Sequence, residues 1–116
     1  MRALLALFVL LTLSTNSFAG EIRNGAIMQV KPNSIWFQDV KKFARWQQLK
    51  RSGNATALRS YQDTMLSQRD AWQFVNALTV KIISYEPAND RVKVEMKTDG
   101  RMLGTTWFLE AAALTQ

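Results

Sequence analysis

The feature that most limits the fold of this chain is a change of hydrophobic period near Leu78. In the stretch from Asp39 up to it, apolar side chains recur every three or four residues; after it, they recur every second residue. The first spacing lines one face of a helix and the second lines one face of a strand. A chain that keeps the two patterns in separate blocks belongs to the α+β class.

In the second block, Leu78, Val80 and Ile82 alternate with Thr79 and Lys81. Pro87-Ala88-Asn89-Asp90 reads as a turn. Val92, Val94 and Met96 then alternate with Arg91, Lys93, Glu95 and Lys97, which predicts a strand with one buried and one wet face. Asp99-Gly100 is a tight hairpin signal. Leu103, Thr105, Trp107 and Leu109 are expected to continue as the next strand, with Met102, Gly104, Thr106 and Phe108 on its other face. One of Trp107 and Phe108 then faces the core and the other faces outward. Gly104 reads as a place where something approaches the strand closely. "EAAAL", Glu110 to Leu114, reads as one helical turn ending in a buried leucine.

The first block opens with a short strand, Ala26 to Lys31, that sets Ala26, Met28 and Val30 on one side. Pro32-Asn33-Ser34 breaks it. Ile35-Trp36-Phe37 fits either a returning strand or the start of the next helix. Asp39 is a helix N-cap by type, and Val40, Phe43, Trp46 and Leu49 form an apolar face behind it. Lys41, Lys42 and Arg45 fall on the opposite side. Lys50 and Arg51 suit the last turn of a helix, and Gly53 suits a left-handed cap. A second helix is expected after Asn54, with Leu58, Tyr61, Met65 and Trp72 as its stripe. Arg69 projects into that stripe between Met65 and Trp72. The short link between the helices predicts an antiparallel pair.

The strand-rich end, about Leu78 to Leu114, resembles the last strands of bacterial SH3-like barrels. The residues that carry the likeness are the valine-rich strand, the turn, the alternating strand, the Asp-Gly hairpin and "GTTWFLEAAAL", where a glycine and an aromatic precede a closing turn. The resemblance implies a small SH3-like antiparallel β-barrel or sheet. The helical pair is then a two-helix insertion after the first strand. It departs from the plain strand order of that family, so no ligand of the family, such as peptidoglycan stems, is carried over.

The N-terminus has the grammar of export. Arg2 precedes the apolar run Ala3 to Leu13, and "STNSFA" places Ser17 and Ala19 at the small positions of a cleavage site before Gly20. The run has 11 residues, against the ~20 a membrane-spanning helix needs. Residues 1–19 are therefore expected to be a cleavable signal peptide and 20–116 a single small exported domain. That domain is periplasmic, or secreted if the organism has a single membrane. No cysteine follows the run, which argues against a lipoprotein, and no second apolar run predicts an anchor. The chain holds no cysteine at all, so no disulfide is available and a packed core must hold the domain together.

The chain has 15 basic and 9 acidic residues, and without Arg2 the expected domain carries +5. Outside the cytoplasm such a charge meets anionic lipid, anionic wall polymer or acidic envelope proteins; nucleic acid is an unlikely partner there. Histidine is also absent, which together with the missing cysteine removes the commonest general base, the thiol nucleophile and most zinc sites. Carboxylates remain, but Asp39, Asp63, Asp70, Glu86, Asp90, Asp99 and Glu110 lie mostly at caps, turns and exposed helix positions. "PANDR" and "TDG" are too sparse for a calcium loop. Gly100 to Thr105 has neither the spacing nor the lysine of a phosphate loop. No catalytic residue, metal or cofactor is expected.

The candidate partner-binding residues are Trp36, Lys41, Lys42, Arg45, Arg69 and Trp107. An exposed tryptophan beside a cation makes a ligand platform, although Trp46, Trp72 and Trp107 lie on apolar patterns that read as core. Arg69 either lays its stem along Trp72 and pairs with Asp70 or a backbone carbonyl, or stands as a half-buried cation in an anion-binding groove. The function expected is an exported, non-enzymatic binding module contacting a protein or anionic polymer of the cell envelope. The alternative is an inhibitor or immunity protein against an exported toxin or cell-wall hydrolase; its basic charge suits an acidic target. A domain catalysing with carboxylates alone requires two acids within ~5–10 Å in one cleft.

Overall fold

The computed structural model describes residues 22–115; the expected signal peptide lies outside the described residues. In chain order the elements are β1 (Ile27–Val30), β2 (Ile35–Phe37), α1 (Val40–Ser52), α2 (Ala55–Ser67), β3 (Ala71–Gln73), β4 (Leu78–Glu86), β5 (Arg91–Met96), β6 (Thr106–Leu109) and β7 (Leu114–Thr115). Single 3-10 turns, Pro87–Asn89 and Ala111–Ala113, precede β5 and β7. The fold is α+β, with seven strands in one antiparallel sheet of order β3-β2-β6-β5-β4-β1-β7.

β1 and β4 are hydrogen-bonded neighbours, with Met28 opposite Val80 and Val30 opposite Leu78. Residues 31–77 therefore loop out between two adjacent strands, and both helices lie in that excursion. The sheet does not close on itself. Its two ends nevertheless reach the same turn: Lys31 N–H donates to Ala113 O beside β7, and Asn33 N–H donates to Phe74 O beside β3, each at 2.7 Å.

The alternation read from the sequence places the inner face. Val80, Ile82, Val92, Val94, Met96, Trp107 and Leu109 are buried there together with Met28, Val30, Trp36 and Leu114. The helices cover the outer face at the β2–β3–β6 end, where Phe37, Phe43, Trp46, Met65 and Ala71 form a second core. β2 is thus covered on both faces, Trp36 inward and Phe37 under the helices. This is why Ile35-Trp36-Phe37 is an unbroken apolar run with no alternation. The same layering answers the question at β6. Trp107 faces the inner core, and Phe108 faces outward but is half-buried, stacked on Phe43 at 6.3 Å.

Three of the four helix ends follow their sequence signals. Asp39 Oδ1 accepts from Lys41 N–H at 3.2 Å, and Asn54 Oδ1 accepts from Ala57 N–H at 3.0 Å. Gly53 closes α1 in the left-handed region at φ 77°. Contacts run back from this link, Trp46 to Gln62 and Lys42 to Tyr61, so the helices are antiparallel.

Several expectations are corrected. The α2 stripe does not extend to Trp72, because α2 ends at Ser67 and Trp72 lies on β3, paired with Trp36. Arg69 breaks the helix with φ 62° and is exposed. It neither enters the stripe nor pairs with Asp70, whose carboxylate binds Lys42. The tight Asp99-Gly100 hairpin is also absent: β5 stops at Met96 and β6 begins at Thr106. Met96 and Thr105 hold the ends of the loop together at 2.8 Å, and the chain between them makes consecutive turns, Gly100 to Leu103 and Met102 to Thr105. Leu103, expected on a strand, is 52% exposed. A Cβ on Gly104 would meet nothing within 4 Å, and the residue sits at φ +86°. Its role is a left-handed turn rather than close approach.

Candidate functional site

The six candidate residues separate into two groups. Trp36 and Trp107 are interior, 1% and 0% exposed, and pack edge to face at 5.8 Å. Phe74 and Trp72 complete that inner aromatic cluster. Trp46 is also buried; Lys50 Nζ lies 4.3 Å from its ring centre, but Lys50 is bound to Glu110. Among the described residues no tryptophan forms an open platform beside a free cation.

The other four belong to one corner, α1 and the turn joined to it, which also holds the carboxylates of Asp39 and Asp70. α1 carries Lys41, Lys42 and Arg45 in its first turns, where one helical turn separates Lys41 from Arg45. Lys42 Nζ meets Asp70 Oδ1 at 2.9 Å, which brings the α2–β3 turn, and with it Arg69, to the same place. Lys41, Arg45 and Arg69 are exposed. Arg45 donates to Gln48 Oε1 at 3.2 Å, and none of the three makes an ion pair among the described residues. Tyr61 lies beneath, its hydroxyl donating to Lys42 O at 3.3 Å. The hydrogen bond to Asp70 holds the Lys42 ammonium above its usual pKa, against a smaller opposing effect of burial. Burial pushes the Tyr61 phenol up, against the pull of Lys42 and Arg45.

This corner belongs to a larger asymmetry. Residues 31–77, the excursion between β1 and β4, hold eight basic residues against three acidic ones. The remaining described residues hold six against five. Nearly all the net charge lies in the inserted segment.

A second feature went unread in the sequence. A polar cleft of about 660 Å³ lies where α1 meets the β4–β5 turn, lined among others by Gln47, Lys50, Arg51, Asp90, Arg91 and Glu110. Gln47, 4% exposed, donates through Nε2 to Asn89 O at 3.3 Å, Asp90 O at 3.0 Å and Glu110 Oε2 at 3.1 Å. Lys50 Nζ takes the other Glu110 oxygen. Asp90 adopts φ 46° and its Oδ1 accepts from Ala111 N–H at 2.8 Å. Two carboxylates therefore do share one cleft, but the described donors engage both, and they tie α1 to the sheet. A glutamine beside an apolar stripe gives no sign of this role until its partners, distant in sequence, are in place.

No family model, curated protein or solved structure matches the chain. Among the described residues, no three of His, Cys, Asp and Glu gather in a metal-binding group. No helix there is long and apolar enough to cross a membrane.

Proposed function

We propose that this protein is an exported, non-enzymatic binding module that contacts a protein or anionic polymer of the cell envelope through its helical insertion. The observation that carries this reading is the placement of charge. The insertion holds eight basic residues against three acidic ones, while the sheet is close to neutral. Charge that served solubility alone need not concentrate in one segment. The export-type N-terminus supplies the compartment in this reading.

The SH3-like reading belongs here as well. β1, β4, β5, β6 and β7 are consecutive in the sheet, a 3-10 turn precedes the last strand, and β2, α1, α2 and β3 interrupt them as one segment. These features support an SH3-like sheet as scaffold, with the insertion as the part that makes contact. A non-enzymatic role is supported by the lack of histidine and cysteine and by the engagement of Asp90 and Glu110 in holding the fold.

The test is capture from an envelope extract by the full mature chain and by a Lys41→Glu, Lys42→Glu, Arg45→Glu variant. The wild type is expected to enrich a component that the variant loses at unchanged circular dichroism. Equal enrichment by both overturns the assignment of the insertion as the contact surface.

A further inference from the structure

We infer that the partner at the Lys41–Lys42–Arg45–Arg69 corner is a hydrophilic polyanion, a polymer of closely spaced anionic groups. The inference rests on the reading above that the insertion is the contact surface, and it narrows the kind of partner.

The corner lacks apolar anchors. The large apolar side chains exposed among the described residues are Ile27, Val75, Ile83 and Leu103. None lies on α1, on α2 or in the turn that carries Arg69. A helix that settles into a membrane interface sinks an apolar face between headgroups, and the apolar face of α1 is already sealed by Phe37 and Phe108. Protein interfaces take most of their affinity from aromatic and aliphatic anchors seated in pockets. The one aromatic here, Tyr61, is half-buried with its hydroxyl turned to the α1 backbone. Single-stranded nucleic acid needs faces on which bases stack; Trp36, Trp46 and Trp107 are inside the protein, and the half-buried Trp72 is already stacked on Phe74 and packed edge to face on Trp107.

The corner offers unpaired cations. Lys41, Arg45 and Arg69 stand exposed without an ion-pair partner among the described residues. They are mounted on a capped helix and on a turn fixed to that helix through Asp70. Lys42 is only 39% exposed at its side chain and already neutralised, so it adds little until a stronger anion displaces Asp70. A fixed cluster of cations with no apolar anchor binds by Coulomb attraction and release of counterions. Its best partner is a flexible chain that presents several charges at once.

Isothermal titration of the full mature chain with linear inorganic polyphosphate tests this. Three phosphate contacts predict binding that weakens roughly twentyfold between 50 and 200 mM salt. A Lys41→Glu, Arg45→Glu variant is expected to lose at least about tenfold in affinity at low salt, by the charge bookkeeping of the same relation. A control, Lys81→Glu, Arg101→Glu, makes the same change of net charge on the sheet and its loop and is expected to bind nearly as the wild type. Equal loss in both variants overturns the inference, because net charge alone then explains the binding. Tighter binding to phosphatidylglycerol vesicles than to polyphosphate, at equal phosphate, overturns it in favour of a lipid surface. If polyphosphate fails while charge reversal still abolishes capture from the envelope extract, the insertion stands as contact surface and the polyanion falls. If capture survives charge reversal, the contact surface itself is wrong.

Discussion

Gln47 illustrates how much one polar side chain can organise. Its amide reaches three acceptors that belong to two other parts of the chain, the β4–β5 turn and Glu110. Replacing it with leucine keeps the volume but strands those acceptors in a half-closed cleft. A buried polar group left unpaired costs about 1–3 kcal/mol. Gln47→Leu should therefore lower the urea midpoint by a matching amount, with the slope of the transition unchanged. A midpoint equal to wild type would mean that water replaces the amide.

The Lys42–Asp70 pair makes a different prediction. Lys42 has its pKa raised by Asp70 and Tyr61 has its pKa raised by burial. In both cases the protonated form is favoured in the fold. Their contribution is therefore complete below the ordinary values of 10.5 and 10.0 and is lost as pH rises past them. Lys42→Gln should melt below wild type at neutral pH, and the gap should close as pH rises past the ordinary lysine value of 10.5 and the wild-type lysine loses its charge. A gap that persists however alkaline the buffer points to lost packing by the lysine stem instead. Of these residues only Lys42 could be picked out from the sequence, by its place on the polar side of a periodic helix. The partners of Gln47 lie 42 to 63 positions away, and no local pattern points to them.

At the level of elements, patterns with a period were legible and endings were not. β4, β5, α1 with both its caps and the start of α2 follow directly from spacing and capping chemistry. α2 was read too long because Trp72 stands at a helical interval from Met65, although it reaches the core from a strand. The left-handed backbone at Arg69 is what ends the helix, and nothing about an arginine announces that conformation. The β5–β6 connection failed for a related reason. Asp99-Gly100 carries the letters of a two-residue hairpin, yet the pairing closes at Met96 and Thr105. Gly104 makes the turn there. Its substitution by alanine meets no neighbour within 4 Å, so the expected loss of about 1 kcal/mol comes from backbone strain alone. Gly104→Asn should recover part of it, since asparagine tolerates the left-handed region. Chemical denaturation of the two variants separates strain from a steric effect, which would make asparagine the worse of the pair.

For the whole molecule, the insertion is not an appendage. It leaves and rejoins the sheet between adjacent strands, so a short turn from β1 to β4 could replace it without stretching the chain. The inner core, however, takes Trp36 from β2 and has Trp72 and Phe74 packed against it. Without them Trp107 loses its edge-to-face neighbours and opens to water. A variant with residues 32–76 replaced by a glycine-containing turn is expected to show no cooperative melt. A cooperative melt near the wild-type temperature would show that the strand-rich remainder folds alone. The concentration of positive charge in the insertion was plain from the sequence. That the insertion also completes the core was not, because Trp36 read as an element of uncertain kind and Trp72 as part of a helix.

The burial of the tryptophans has a spectroscopic consequence. Trp36 and Trp107 sit 5.8 Å apart with ring planes at 88°, close enough for their ultraviolet transitions to couple and give a paired circular-dichroism band. Trp46 stands apart in the helical layer, with an ammonium over its ring, a neighbour that alters its fluorescence. The chain thus carries an unlabelled reporter in each core, the coupled band in the inner one and, by difference against Trp46→Phe, fluorescence in the helical one. Melting curves followed by both signals coincide if the two cores come apart together, and separate if the helical layer lifts first.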